Sequence, residues 1–246
     1  MSITPLCTIS LRVLAHVLRT HRFGELPPVL RPEREWLSAG EQREFEASAN
    51  TKIAGLGILD RRGRIAEEVL DALAVLARPT LQYWAYFDVA ADDRSGPADG
   101  DKNYRVLVAT AGNEGVLAFR LGHAVELGRL YGEPPDSVLL NQLGRVPPAR
   151  LDSLNVRVDG SGDGEQRRLL RRLAGQSVLG QGELYVGLRD PHGQFRANAD
   201  APVRFVDYPS GRVLVTCSAG YLSVLPATAD LLAQRLAEAR RLLTET

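Results

Sequence analysis

The end of the chain has the clearest pattern of apolar and polar residues. Between Val203 and Leu225 the two classes alternate, and two turns that contain glycine interrupt the alternation, which predicts three short strands. Pro226 ends the third strand because proline has no amide hydrogen for a ladder bond. Apolar residues then recur at helical spacing from Thr228 to Leu243. The sequence therefore predicts three antiparallel strands followed by one amphipathic helix.

The middle of the chain has the same order of elements. Three apolar segments between Tyr104 and Leu130 are separated by turns that contain glycine, and Pro134 and Pro135 then start a helix. We interpret the two stretches as a structural repeat, although their residues differ. Further strands are predicted at 81–89 and 183–189.

The first 79 residues are predicted to be helical, with extended connections between the helices. The predicted helices span 11–20, 39–54 and 66–77. Ser38 and Glu41 have the spacing of a capping box at the start of the second helix. Residues 26–30 contain two prolines and are predicted to be extended.

These elements together predict an α+β fold. Because antiparallel hairpins dominate and helices flank them, we expect a central, mostly antiparallel sheet rather than a doubly wound one. The repeat implies two similar halves, about 1–150 and 151–246, in a quasi-two-fold relation. We expect both halves to form a single domain that spans residues 1–246.

One connection within the predicted sheet is unusually long for a hairpin. Residues 90–102 contain four aspartates and no large apolar side chain, so we expect a solvent-exposed loop. The simplest interpretation is a hydrated connection without a role. The alternative is that its charges guide a partner.

Composition excludes several classes of function. The formal net charge is +0, which favours neither nucleic acid nor an anionic membrane surface. No segment has the roughly 20 apolar residues of a membrane span or the pattern of a signal peptide, so we expect a cytoplasmic protein without membrane insertion. The only cysteines, Cys7 and Cys217, are expected to be reduced, buried and dispensable for function.

The chain lacks a recognisable catalytic or cofactor motif. The four histidines have no metal-ligand spacing with cysteine or carboxylate and are expected to be surface or hydrogen-bonded residues. The run of arginines at 167–172 is expected to form a solvated helix face. Cys217 is the one candidate nucleophile, and its place on the same strand face as Val215 argues against that role. We therefore predict no cofactor, no metal and no enzymatic activity.

Several stretches resemble a known family in the right order along the chain. They are residues 26–30, the helix pair 36–79, Gly182 to Val186, Asp207 to Arg212 and Leu225 to Thr228. In these segments the chain is similar to the EspG family, the secretion-associated proteins of actinobacterial type VII (ESX) systems. Each motif alone is weak, and the ordered set is fairly specific. The many arginines and only two lysines agree with an actinobacterial source.

The resemblance implies a cytosolic chaperone without enzymatic activity. Members of the family bind the helical tip of PPE proteins in PE–PPE heterodimers, keep them soluble and mark them for their own ESX system. The fold of the family is a central antiparallel sheet with helices around it and a quasi-two-fold relation between halves. The partner implied here is a secreted helical-hairpin protein, either PE/PPE-like or WXG-type, and a homodimer is an open alternative.

The resemblance also implies where the partner binds. In the family the contacts come from the sheet, the long loop early in it and the C-terminal helical region. The corresponding charged and polar candidates are Asp92, Asp93, Arg94, Asp99, Asp101, Lys102, Gln234, Arg235, Glu238 and Arg241.

Two other functions stay open on the sequence alone. A small-molecule-binding or sensor domain on the same sheet would have a deep apolar pocket with convergent polar groups. A cysteine-dependent enzyme would need Cys217 to react with thiol reagents in the native protein.

Overall fold

The computed structural model describes residues 3–31, 38–89, 103–159 and 164–245. The strands are β1 (Ile3–Ser10), β2 (Leu81–Val89), β3 (Tyr104–Ala111), β4 (Glu114–Leu121), β5 (Ala124–Leu130), β6 (Leu154–Arg157), β7 (Gly180–Arg189), β8 (Phe195–Ala197), β9 (Val203–Tyr208), β10 (Gly211–Ser218) and β11 (Tyr221–Pro226). The helices are α1 (Leu11–Thr20), α2 (Ala39–Ala54), α3 (Glu67–Ala77), α4 (Pro135–Asn141), α5 (Gly164–Ala174) and α6 (Ala229–Glu245), with a 3-10 turn at Pro28–Leu30.

The strands form one continuous antiparallel sheet across both halves of the chain. Its order is β1-β5-β4-β3-β2-β7-β9-β10-β11-β6, and β8 adds to β7. β2 and β7 pair with each other at the centre. On either side of them lie three sequential strands, β3 to β5 and β9 to β11, and α4 or α6 follows each set. This order confirms the predicted α+β fold with two halves in a quasi-two-fold relation.

Helices cover one face of the sheet in both halves. On this face α4 and α6 pack over a core that includes Tyr83, Leu184 and Phe205. Tyr83 belongs to the first half, and Leu184 and Phe205 belong to the second. They share one face because alternation along β2, β7 and β9 points every second side chain to the same side of the sheet.

The opposite face is covered unequally. In the first half α1 and α3 pack on it over residues such as Leu107 and Ala118. In the second half α5 covers only the outer strands, where its Leu173 packs with Leu154 and Val213. The central part of this face in the second half therefore has less cover than its counterpart in the first.

Local signals explain most of the element boundaries. Ser38 and Glu41 form the predicted capping box, with both reciprocal hydrogen bonds present, and α2 has the predicted limits. Thr228 accepts a hydrogen bond from the Leu231 amide at 3.1 Å and so caps α6 as expected. The prediction of a fully extended 26–30 segment was wrong, because Pro28 occupies the first position of a 3-10 turn, where its missing amide costs nothing.

Candidate partner-binding surface

The central strands present a partly uncovered surface on the side opposite α4 and α6. We call it the open face and define it by Trp84, Tyr86, Glu183, Tyr185, Arg204, Val206 and Val215. Alternation along the strands points these side chains away from the core that contains Phe205 and Leu184. Arg204 is exposed, and the others are half-buried. A cleft of about 410 Å³ lies over this part of the sheet.

The strand register brings the open face together from four strands. Tyr86 of β2 lies opposite Glu183 of β7, and Glu183 lies opposite Arg204 of β9. Arg204 in turn lies opposite Val215 of β10. The register therefore forms one row across the sheet from residues far apart in the chain, from Tyr86 to Val215.

A hydrogen-bonded charge pair occupies the centre of the open face. The Tyr185 hydroxyl donates to Glu183 Oε2 at 2.5 Å, and Arg204 Nε donates to Glu183 Oε1 at 2.8 Å. These two bonds hold the pKa of Glu183 below its ordinary value. Burial, and then the bond to Glu183, raise the pKa of the Tyr185 phenol. Because the pKa of the Glu183 carboxyl is lowered, the ion pair persists at a pH where an ordinary carboxyl would already be protonated. The pair is lost only as pH falls through the lowered pKa. At neutral pH the open face therefore carries an intact, internally neutralised pair.

Aromatic rings border this pair. The rings of Trp84 and Tyr185 stack with centroids 5.1 Å apart, and Phe195 extends the group with its centroid 6.4 Å from Trp84. Arg105 lies over the ring of Tyr86 at 5.1 Å. Tryptophan, tyrosine and arginine are the residues that most often carry binding energy in protein interfaces. The aromatic residues on both faces of β2, together with Tyr185 on β7, were the signal for this surface in the sequence, and the predictions did not use it.

At one end of this surface β2 ends and β3 begins, on either side of the predicted loop 90–102. Arg105 and Asp88 form an ion pair at 3.0 Å, and Asn103 accepts a hydrogen bond from the Val89 amide at 3.2 Å. These contacts tie β2 to β3 where the connection begins and ends. The predicted loop residues Asp92, Asp93, Arg94, Asp99, Asp101 and Lys102 lie outside the described residues.

The candidates on α6 lie on the other side of the sheet. Glu238 accepts hydrogen bonds from Gln234 at 2.9 Å and from Arg235 at 2.8 Å, and Arg241 lies 3.8 Å from Glu245. These bonds form along the outer surface of a helix whose Leu232 and Leu236 are buried against the α4 side of the sheet. The structure therefore does not bring the α6 candidates together with the open face.

Exposed apolar side chains are concentrated in the second half. Nine large apolar residues are exposed in the described parts of the chain, and six of them lie between residues 158 and 221. These six are Val158, Leu169, Val178, Leu179, Phe195 and Tyr221.

The prediction that both cysteines are buried was wrong. Cys217 is exposed and Cys7 is only partly buried, although burial still raises the pKa of the Cys7 thiol. Cys217 does share a strand face with Val213 and Val215. Burial decreases along β10, however, because α5 packs over Val213 and the end of the strand extends past this cover.

The alternative of a small-molecule site finds no specific support in the described residues. A cleft of about 840 Å³ lies between α1, α2 and the start of α3. His16 lines it, and its buried Nδ1 has no hydrogen-bond partner among the described protein atoms. Asp60 and Arg64 in the same cleft pair with each other at 3.2 Å, and Thr20 and Asn50 are exposed. This mixture of groups identifies no chemical class of ligand.

Two properties of the described residues bear on other functions. No group of three or more histidine, cysteine, aspartate or glutamate side chains there is arranged to hold a metal ion. None of the helices in the described ranges has the length and hydrophobicity needed to cross a lipid bilayer.

Comparisons with known proteins address the whole chain. No curated protein sequence matches it. Among solved structures it is similar to a chain of the Mycobacterium tuberculosis type VII secretion system chaperone EspG5 in complex with the PE25–PPE41 dimer, with a TM-score of 0.63 and 18% sequence identity. The likeness covers 94% of this chain and 95% of that chain, and it identifies a shared fold. A model of the EspG family matches residues 10–238, which is most of the sequence, and the chain therefore belongs to the EspG family.

Proposed function

We propose that the protein is a cytoplasmic type VII secretion chaperone without enzymatic activity. It binds a secreted PE/PPE-like helical protein, keeps it soluble and directs it to its ESX system. The observation that carries this proposal is the match of the EspG family model to residues 10–238. The fold shared with EspG5, whose structure was solved with a PE–PPE dimer, supports it.

The open face suits such a task. A chaperone that caps a helical tip needs apolar and aromatic area, together with polar groups that fix the orientation of the partner. Trp84 and Tyr185 provide the aromatic area, and the Glu183–Arg204 pair provides a charged group at its centre. The loop 90–102 and the exposed residues of α6 are further candidate contacts, as the resemblance implies.

The test is co-expression of the chain with candidate substrates encoded beside its gene. We expect a PE/PPE-like or a WXG-type helical-hairpin protein to be insoluble or aggregated alone and to elute with this chain as a soluble complex in size-exclusion chromatography. The relative yields of the two substrate classes decide between them. Failure of every helical-hairpin substrate to form a complex with the folded chain would refute the proposal.

A further inference from the structure

The quasi-two-fold relation can be traced residue by residue from the centre of the sheet. β2 and β7 are paired at Ala85 and Leu184, and a two-fold axis placed at this pair relates residues 81–89 of β2 to residues 180–188 of β7. Counting outward through the register, Ala109 of β3 corresponds to Val206 of β9. In the same way Ala118 of β4 corresponds to Val215 of β10.

The corresponding positions of the two halves differ in solvent exposure. Ala109 and Ala118 are fully buried, at 0% exposure, and both belong to the core formed with α3. Val206 and Val215 are only half-buried. The difference does not come from the strands, since both pairs are apolar residues that point to the same side of one sheet.

The chain itself explains the difference. In the first half residues 21–80 lie between α1 and β2 and contain α2 and α3. In the second half only residues 175–179 lie between α5 and β7. The second half therefore has no counterpart of α3, and the site that corresponds to the α3 position is the part of the open face around Val206 and Val215.

We propose that one helix of the secreted partner docks on this site, in the position that corresponds by the two-fold relation to that of α3. This inference rests on the proposed chaperone function and specifies how the partner is held. The partner helix completes the second half of the protein as α3 completes the first.

The surface also specifies the chemistry of that helix. The helix α3 covers its site with Val69, Ala72, Leu73 and Leu76, a stripe of small and branched apolar residues at helical spacing. A partner helix needs the same kind of stripe to pack on Val206 and Val215. It also needs a polar side chain within reach of Arg204, because Arg204 stands at the position that corresponds to the fully buried Leu107 of the first half.

Cys217 offers a test that barely alters the surface. This exposed thiol lies on the same strand face as Val215, two residues further along β10. A photo-reactive maleimide is attached to Cys217 in a Cys7→Ser background, and the complex with the co-purified helical substrate is irradiated. The matched control carries Tyr131→Cys in a chain with both native cysteines replaced by serine, since Tyr131 is exposed directly after β5, and four strands separate β5 from β9 in the sheet. We expect cross-links from position 217 to the apolar stripe of a substrate helix, and none from position 131.

A second measurement uses Val206→Asp with Tyr131→Asp as its matched control. We expect Val206→Asp to weaken substrate binding tenfold or more in titrations and Tyr131→Asp to change it less than twofold, with both variants retaining the circular dichroism of the native protein. If Val206→Asp fails to fold, the cross-linking result decides alone. Cross-links only from position 131, or from position 217 to a non-helical part of the substrate, would overturn this inference and leave the chaperone proposal intact. A native chain that binds no helical substrate would instead refute the chaperone proposal itself.

Discussion

Individual residues at the junction between β9, β10 and the segment before β6 connect the two halves of the chain. The buried Arg212 donates to both oxygens of Asp207 at 2.7 and 2.9 Å and to the Gly144 carbonyl at 3.2 Å. The neighbouring Gly211 has φ +117°, and a Cβ there would lie 2.6 Å from the Ala149 backbone. Only glycine is compatible with both constraints at this position.

Asp207→Ala tests this junction. Removing the carboxylate leaves the Arg212 guanidinium buried without its ionic partner, so we expect the free energy of unfolding to fall by about 3–5 kcal/mol. The double variant Asp207→Leu with Arg212→Met should lose less, since it removes both charges together. Urea denaturation of the three proteins measures the difference. Equal losses in the single and double variants would contradict the assigned role of the pair.

Cys217 shows what alternation in a sequence can and cannot predict. The pattern correctly placed Cys217 on the same face as Val213, because side-chain direction follows from the strand period alone. Burial depends in addition on where α5 ends its cover, and no local pattern encodes that. The same limit hid the open face, since nothing in strand β9 reveals that a counterpart of α3 is absent.

We expect Cys217→Ala to change the free energy of unfolding by less than about 0.5 kcal/mol, as exposed substitutions usually do. This replaces the larger cost that burial would imply. Thermal denaturation provides the measurement, with Val213→Ala as a buried control on the same strand face that should cost about 1 kcal/mol or more. A loss for Cys217→Ala as large as that of the control would mean that the thiol is covered in solution.

At the scale of elements, local chemistry fixed most boundaries. The capping box set the start of α2 and Gly55 its end, and the glycine turns separated the strands in the two sets of three. The three-residue strand β8 was missed because it is too short for alternation to be visible. The place of β6 at the edge, beside β11, could not be predicted, because its partner is set by tertiary pairing more than 60 residues away.

The connection between β2 and β3 contains four aspartates, and their charges provide a test. We expect replacement of Asp92, Asp93, Asp99 and Asp101 by serine to slow association with a basic or polar helical tip severalfold at low salt, because the acidic groups would no longer attract it. The effect should shrink at high salt as screening weakens long-range attraction. Stopped-flow or surface-based association rates at two salt concentrations measure it. Unchanged rates at both concentrations would remove the loop from the binding surface, and the residues Gln234, Arg235, Glu238 and Arg241 of α6 would be substituted next.

At the scale of the whole molecule, one sheet joins two halves that share a topology. The halves differ in how far helices cover the face opposite α4 and α6. The core under α4 and α6 takes residues from both halves, including Val106 and Leu139 from the first and Phe205 and Leu236 from the second. Neither half can bury its share of this core without the other. The missing counterpart of α3 breaks the symmetry on the opposite face only, so a partner can dock there without disturbing the shared core.

This shared core leads us to expect a single folding unit from residue 1 to residue 246. Trp84 stacks on Tyr185 where the two halves meet, so tryptophan fluorescence reports the loss of this junction. A fluorophore on the exposed Cys217, in a Cys7→Ser background, reports the second half. We expect the two probes and far-UV circular dichroism to give one coincident transition in urea, because separating β2 from β7 exposes apolar residues of both halves at once.

The segments 1–150 and 151–246 expressed separately should each lack cooperative unfolding. Two transitions in the full chain, or a half that folds alone, would divide the protein into two domains.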